Sequence, residues 1–128
     1  MDKMVKTVLL LFILCCSACS RVSYFVFQND TLSTIQMLCN ATVHEVPAEQ
    51  SIELRALECI FISGSGKWTY DWRDVPREFI ETRSSGARIY WVIGQDRRLW
   101  LKQPHKGSSP TLPEKQPDQF PLDPRDLH

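Results

Sequence analysis

Cysteine offers this chain more chemistry than any other residue type, and its placement is uneven. Five cysteines occur, at positions 15, 16, 19, 39 and 59 of a 128-residue sequence. A thiol can ligate a metal, attack as a thiolate, carry an acyl group or pair as a disulfide. Histidine occurs at 44, 105 and 128, and only His44, beside Glu45, falls in the stretch read below as folded. That pair alone is a fragment of an acid–base or metal site. With no second histidine and no metal-spaced cysteines in the folded part, His44 reads as an exposed loop residue. The sequence lacks a Gly-x-Ser-x-Gly elbow, a phosphate-binding glycine loop and a His-Glu-x-x-His stretch. Ser63-Gly64-Ser65-Gly66 is a turn rather than a phosphate cradle, because no Gly-Lys-Ser/Thr pattern or helix follows it. Nothing here recommends an enzyme, and no cofactor or metal is implied.

The first nineteen residues set the address. Lys3 and Lys6 give a positive start, and Val8 to Leu14 is an unbroken apolar run. Small residues follow, which makes an export signal over residues 1–18. The run is too short to span a bilayer, which takes roughly 20 residues. Ser17-Ala18-Cys19 resembles the end of a bacterial prolipoprotein signal, in which a small residue precedes a cysteine that becomes lipid-modified. Cys16 stands where that family usually has an aliphatic residue. The resemblance covers the first twenty residues. It implies cleavage before Cys19, palmitate-type acyl chains on its sulfur and new amino terminus, and residues 19–21 as a lipid-anchored linker. More than one chain gives stable anchoring, since each buried methylene contributes about 0.8 kcal/mol. Ser20 occupies the place where, by the same resemblance, Asp would mark inner-membrane retention, so the outer membrane is favoured where the organism has one.

Cysteine arithmetic agrees with the anchor. Cys15 and Cys16 leave with the signal, and an acylated Cys19 is consumed. Cys39 and Cys59 remain, an even pair in a compartment that favours disulfides. A bridge between them would add about 3 kcal/mol; the alternative is two separate buried thiols. Asn29-Asp30-Thr31 and Asn40-Ala41-Thr42 pull the other way, because both asparagines begin Asn-x-Thr sequons. In a eukaryotic or viral secreted protein they would be glycan acceptors on surface turns.

Charge excludes one class of partner. Basic and acidic residues number fifteen each, and removing Asp2, Lys3 and Lys6 with the leader leaves no basic excess to neutralise phosphates. Nucleic acid is not an expected partner. Arg73, Arg77, Arg83, Arg88, Arg97 and Arg98 are expected to be solvated and paired with nearby Asp and Glu. Trp68, Tyr70, Trp72, Tyr90, Trp91 and Trp100 form a dense aromatic set. Of these, Trp68, Tyr70, Trp72, Trp91 and Trp100 are a candidate surface for stacking on sugar rings or docking a protein. The plainer reading is that one aromatic face fills a small core.

The elements that must position these residues are strands. Val22 to Phe27 and Thr31 to Leu38 predict a hairpin about Gln28-Asn29-Asp30. Thr42 to Val46 predicts a short edge strand. Ser51 to Ile62 alternates and then slips phase at Leu57, predicting a strand with a bulge or bend. Lys67 to Trp72 alternates cleanly, Pro76 to Thr82 reads as a helical turn or short strand, and Ala87 to Ile93 pairs with Arg98 to Lys102 about Gly94–Arg97. In the 89–93 strand both faces are apolar, so it is either central and covered twice or meets a partner on one face. The fold class is all-β, a small antiparallel β-sandwich or partly open barrel over residues 22–103. Six of the eight prolines fall in residues 104–128, which reads as a disordered tail. The leading expectation is a membrane-anchored bacterial envelope lipoprotein with a binding or structural role towards an envelope protein or glycan. The alternative is a secreted or viral N-glycosylated β-sandwich with a Cys39–Cys59 disulfide.

Overall fold

A computed structural model of the chain describes residues 23–55, 58–64 and 66–128. The leader, the linker 19–21 and Cys19 lie outside the described residues. The strands are β1 (Ser23–Asn29), β2 (Ile35–Cys39), β3 (Thr42–Val46), β4 (Ser51–Arg55), β5 (Cys59–Ser63), β6 (Gly66–Tyr70), β7 (Ile80–Arg83), β8 (Gly86–Ile93), β9 (Leu99–His105), β10 (Ser108–Thr111) and β11 (Pro124–Leu127), with a 3-10 turn at Arg77–Phe79 before β7. They form two sheets packed as a sandwich. One runs β10-β9-β8-β1-β4, with β7 also on β8, and the other runs β11-β6-β5-β2-β3. The all-β reading holds, with one difference in detail. β1 and β8 are parallel, so the first sheet is mixed and only the second is antiparallel throughout.

Local chemistry made several elements legible. β2 and β3 join through Asn40-Ala41, whose φ values of 48° and 64° are those of the two-residue turn that suits strand twist. β8 and β9 pair as expected, from Tyr90↔Lys102 to Ile93↔Leu99. The expected hairpin between residues 22–27 and 31–38 does not form. β1 lies in the mixed sheet and β2 in the antiparallel one, because Asn29 turns the chain across the sandwich instead of back along itself. The expected bent strand over 51–62 is two strands, β4 and β5, in different sheets. The phase slip marks the crossing: Ile52 and Leu54 pack on the core from β4, and Cys59 and Phe61 from β5.

The core is aromatic where the sheets meet. Trp68, Trp91, Phe27 and Phe61 are at most 1% exposed. Phe61 stacks on Trp68 and meets Tyr70 edge-on at 5.0 Å between centroids, while Trp72 meets Phe25 at 5.3 Å and Trp91 at 5.5 Å. Edge-to-face pairs at this spacing add about 0.5–1.5 kcal/mol beyond their buried area. Cys39 and Cys59 are register partners on β2 and β5 and are joined by a disulfide, with Cα atoms 4.4 Å apart.

Residues 104–128 are not a disordered tail. His105 ends β9, Ser108 to Thr111 form β10 against it, and β11 pairs with β6 from Pro124↔Tyr70 to Leu127↔Lys67. Between these strands the segment closes the outer edge of β9. The Gln116 side-chain amide accepts from Leu101 N–H at 2.9 Å and donates to Leu101 C=O at 2.8 Å, taking the place of a peptide group. Leu122 exchanges two backbone hydrogen bonds with Leu99. The composition argument failed because it counted only apolar burial. What orders this segment is hydrogen bonding to two strand edges, reinforced by Leu122, 4% exposed, and by Phe120 against Trp91. Proline is compatible with edge strands, where half the N–H groups have no ladder partner.

Candidate functional site

A groove opens in the mixed sheet where one strand edge is shared by two partners. β7 pairs with β8 over Gly86 to Ile89, and β9 pairs over Tyr90 to Ile93. Past Lys102, β9 runs on to the Lys106–Gly107 turn and returns as β10. The space between β7 and this β9–β10 hairpin holds about 860 Å³ and is lined by Arg77, Glu81, Arg83, Tyr90, His105 and Lys106, among others. The Tyr90 hydroxyl donates to Glu81 Oε1 at 3.0 Å, and Arg83 Nε pairs with the same oxygen. Burial raises the Tyr90 phenol above its ordinary pKa, and the hydrogen-bonded Glu81 carboxylate raises it further. His105 Nε2 lies 2.6 Å from Thr111 Oγ1, tying the two arms of the hairpin. Arg77 and Lys106 are exposed, and among the described residues neither pairs with a carboxylate. The site is open and of mixed polarity, and two of its cations, Arg77 and Lys106, lack a carboxylate partner among the described residues, which suits binding an anionic group.

The aromatic residues singled out in the sequence do not make a surface. Trp68, Tyr70 and Trp91 are 0%, 3% and 1% exposed, and Trp72 packs on the core. Strict alternation put Trp68, Tyr70 and Trp72 on one face, and that face is the inner one. Trp100 lies half-buried over the β8–β9 loop; a Cβ added at Gly94 would sit 3.1 Å from its Nε1. β8 is a central strand: Ile89, Trp91 and Ile93 are in the core, and Val92 on the opposite face is 3% exposed.

Of the six arginines expected to be paired, four have carboxylate partners, and among the described residues Arg73 and Arg77 have none. Arg83 pairs with Glu81, Arg88 with Glu53, Arg97 with Asp126 and Arg125 with Asp71. Arg98 lies 3.1 Å from Asp123 and 3.9 Å from Asp96. Arg97 does more than solvate a hairpin tip. Its guanidinium sits over the Trp68 ring, 5.3 Å from the centroid. Its carbonyl accepts the Tyr70 hydroxyl, which itself accepts Trp68 Nε1–H at 2.9 Å. Burial pushes the Tyr70 phenol well above the ordinary tyrosine range, with Trp68 N–H and Arg97 pulling partly back.

Asn29 is not a surface acceptor. It is 0% exposed, and its Nδ2 donates to Ser33 O at 2.9 Å and Val46 O at 2.8 Å. Its Oδ1 accepts Thr31 N–H at 2.9 Å and the Thr31 hydroxyl at 2.6 Å. The Asn-x-Thr pattern here is a side-chain turn that satisfies itself, and both Nδ2 protons are engaged. Asn40 stands exposed at the β2–β3 turn and keeps the geometry of an acceptor. His44 lies half-buried on β3 rather than in a loop. Glu45, its neighbour, projects to the other face as strand alternation requires, so the two cannot share a site. Among the described residues no three His, Cys, Asp or Glu side chains cluster as a metal site.

A second surface is apolar. On the outer face of the antiparallel sheet, Val43, Leu38 and Ile60 are register neighbours, with Val43 59% exposed. The sequence hid the groove because it depends on two strands dividing one edge of β8. Compared with known proteins, the chain matches no family model, no curated protein and no solved structure.

Proposed function

We propose that this chain is an exported binding module of a bacterial envelope, carried out by the leader 1–18, held on the membrane by acyl chains on Cys19, and acting through its sandwich surfaces rather than by catalysis. The observation that carries this reading is the Cys39–Cys59 disulfide. Once those two pair and the leader is removed, Cys19 is the one cysteine left in the mature sequence, and acylation consumes it. A disulfide is consistent with an extracytoplasmic domain. β1 begins at Ser23, so an anchor at Cys19 would tether the sandwich close to the bilayer. The burial of Asn29 removes one of the two sequons on which a glycosylated reading rests. The partner would be an envelope protein or glycan, with no nucleic acid. Exposed Asn40 favours a second reading, a secreted module glycosylated there.

Intact mass of the protein purified from membranes separates the two. The anchored reading expects a mature chain starting at Cys19, carrying diacylglycerol and with no free thiol. An unmodified terminus, or a glycan at Asn40, contradicts it.

A further inference from the structure

We infer that the groove between β7 and the β9–β10 hairpin takes up an extended peptide strand bearing carboxylates, which adds to the outer edge of β7. β7 is paired on one side, with β8. Outside the β7–β8 ladder, Ile80 N–H closes the 3-10 turn onto Arg77 C=O; among the described residues no other backbone hydrogen bond joins Ile80–Arg83 to another segment. The C-terminal segment covers the outer edges of β9 and β6 with β10, the Gln116 amide, Leu122 and β11. The edge of β7 is left facing a second wall across a groove of about 860 Å³. An open strand edge presents the N–H and C=O groups of alternate residues, a repeat of about 6.8 Å at about 3.4 Å per residue, which an extended peptide matches and a sugar or lipid headgroup does not. Four residues of added strand would span roughly 13 Å, the length of β7.

Charge specifies the side chains of that strand. Glu81 Oε1 is already engaged by Tyr90 and Arg83, and the Arg83 charge offsets that carboxylate. Arg77 precedes β7, and Lys106 stands at the tip of the facing hairpin; both are exposed and unpaired. Glu78 is the opposing charge on this wall and Arg83 is held by Glu81, so acidic side chains are best placed towards Arg77 and Lys106. Main-chain pairing supplies affinity and these cations supply sign, the division of labour seen in strand addition generally.

The test uses the full chain in nonionic detergent micelles and fluorescein-labelled acetyl-Glu-Val-Glu-Val-Glu-amide, read by polarisation against micelles alone. The inference expects saturable binding, none by the Lys-Val-Lys-Val-Lys counterpart, and about a tenfold loss in R77A/K106A. R77E/K106E should exchange the preference and bind the lysine peptide, which also shows that the variant folds. N-methylating one alternate set of peptide amides should weaken binding about tenfold while methylating the other leaves it intact. Equal affinity in wild type and R77A/K106A overturns the location. Equal behaviour of the two methylated peptides overturns strand addition. Tighter binding of a heparin tetrasaccharide, lost in R77A/K106A, makes the groove a glycan site and overturns the inference.

Discussion

The two ends of the mixed sheet treat their polar groups differently. Where β1 and β8 finish, polar groups are closely engaged with one another. Asn29 ties the end of β1 to Ser33 and Val46, and its backbone joins Gln50 and Glu49. Nearby, Trp68, Tyr70, Arg97 and Asp126 form one chain of contacts across the two sheets. Where β7 and β9 diverge along β8, Arg77 and Lys106 are exposed and have no carboxylate partner among the described residues. Past Ile80, whose N–H is held by Arg77 C=O, no backbone bond among the described residues covers the outer edge of β7. Buried polar groups left without partners cost about 1–3 kcal/mol each, so the first end is built to hold the fold. Exposed cations cost almost nothing to leave unpaired, so the second is free to serve a ligand.

That contrast can be broken from the strongest side first. Deleting residues 112–128 uncovers the edges of β9 and β6, removes Leu122 and Phe120 from the core and strips Asp126 from Arg97. A domain of this size has a total stability on the order of 5–10 kcal/mol, and the truncated chain is expected to lose the cooperative transition seen by circular dichroism at 37 °C. Asn29→Ala orphans two carbonyls and the Thr31 donors, and urea unfolding should show a loss of about 4 kcal/mol.

Tyr70→Phe is a smaller break. It leaves the Trp68 indole N–H and the Arg97 carbonyl without their partner, and about 2 kcal/mol should be lost. The same residue gives a pH signature. Because its folded pKa is raised, the stability it contributes is complete below the ordinary tyrosine value near 10 and falls as pH rises above it. Unfolding titrations above pH 10 should therefore slope downwards in wild type and less so in Tyr70→Phe. At the bottom of the series, Arg77→Ala and Lys106→Ala should each change stability by no more than about 0.5 kcal/mol.

Residue patterns made the fold class legible and left its wiring hidden. Residues 89–93 read as a strand either covered twice or meeting a partner on one face, and counting thiols favoured the Cys39–Cys59 pairing over two separate buried thiols. Clean alternation at Trp68, Tyr70 and Trp72 told which residues share a face but not that the face is inward. Asn29-Asp30-Thr31 reads equally as a hairpin turn, a sequon and a self-satisfied side-chain turn; burial, which is a tertiary property, decides among them. The proline-rich end looked unable to order because the edges it covers belong to β9 and β6, and β6 is far away in sequence. The groove had no sequence signal, since two strands sharing the edge of β8 create it, and Arg77 was expected to be paired.

Native-state hydrogen exchange, read residue by residue, tests the contrast most directly, because it reports local opening without altering a side chain. The slowest amides are predicted at Asn29, Asp30, Glu49, Leu99 and Leu122, whose N–H groups are engaged in the backbone bonds that close the sandwich. Fast exchange is predicted at Lys106 and at those β7 amides after Ile80 that point away from β8. Equal protection at the two ends, or slow exchange along the outer edge of β7 with no ligand added, would contradict the contrast.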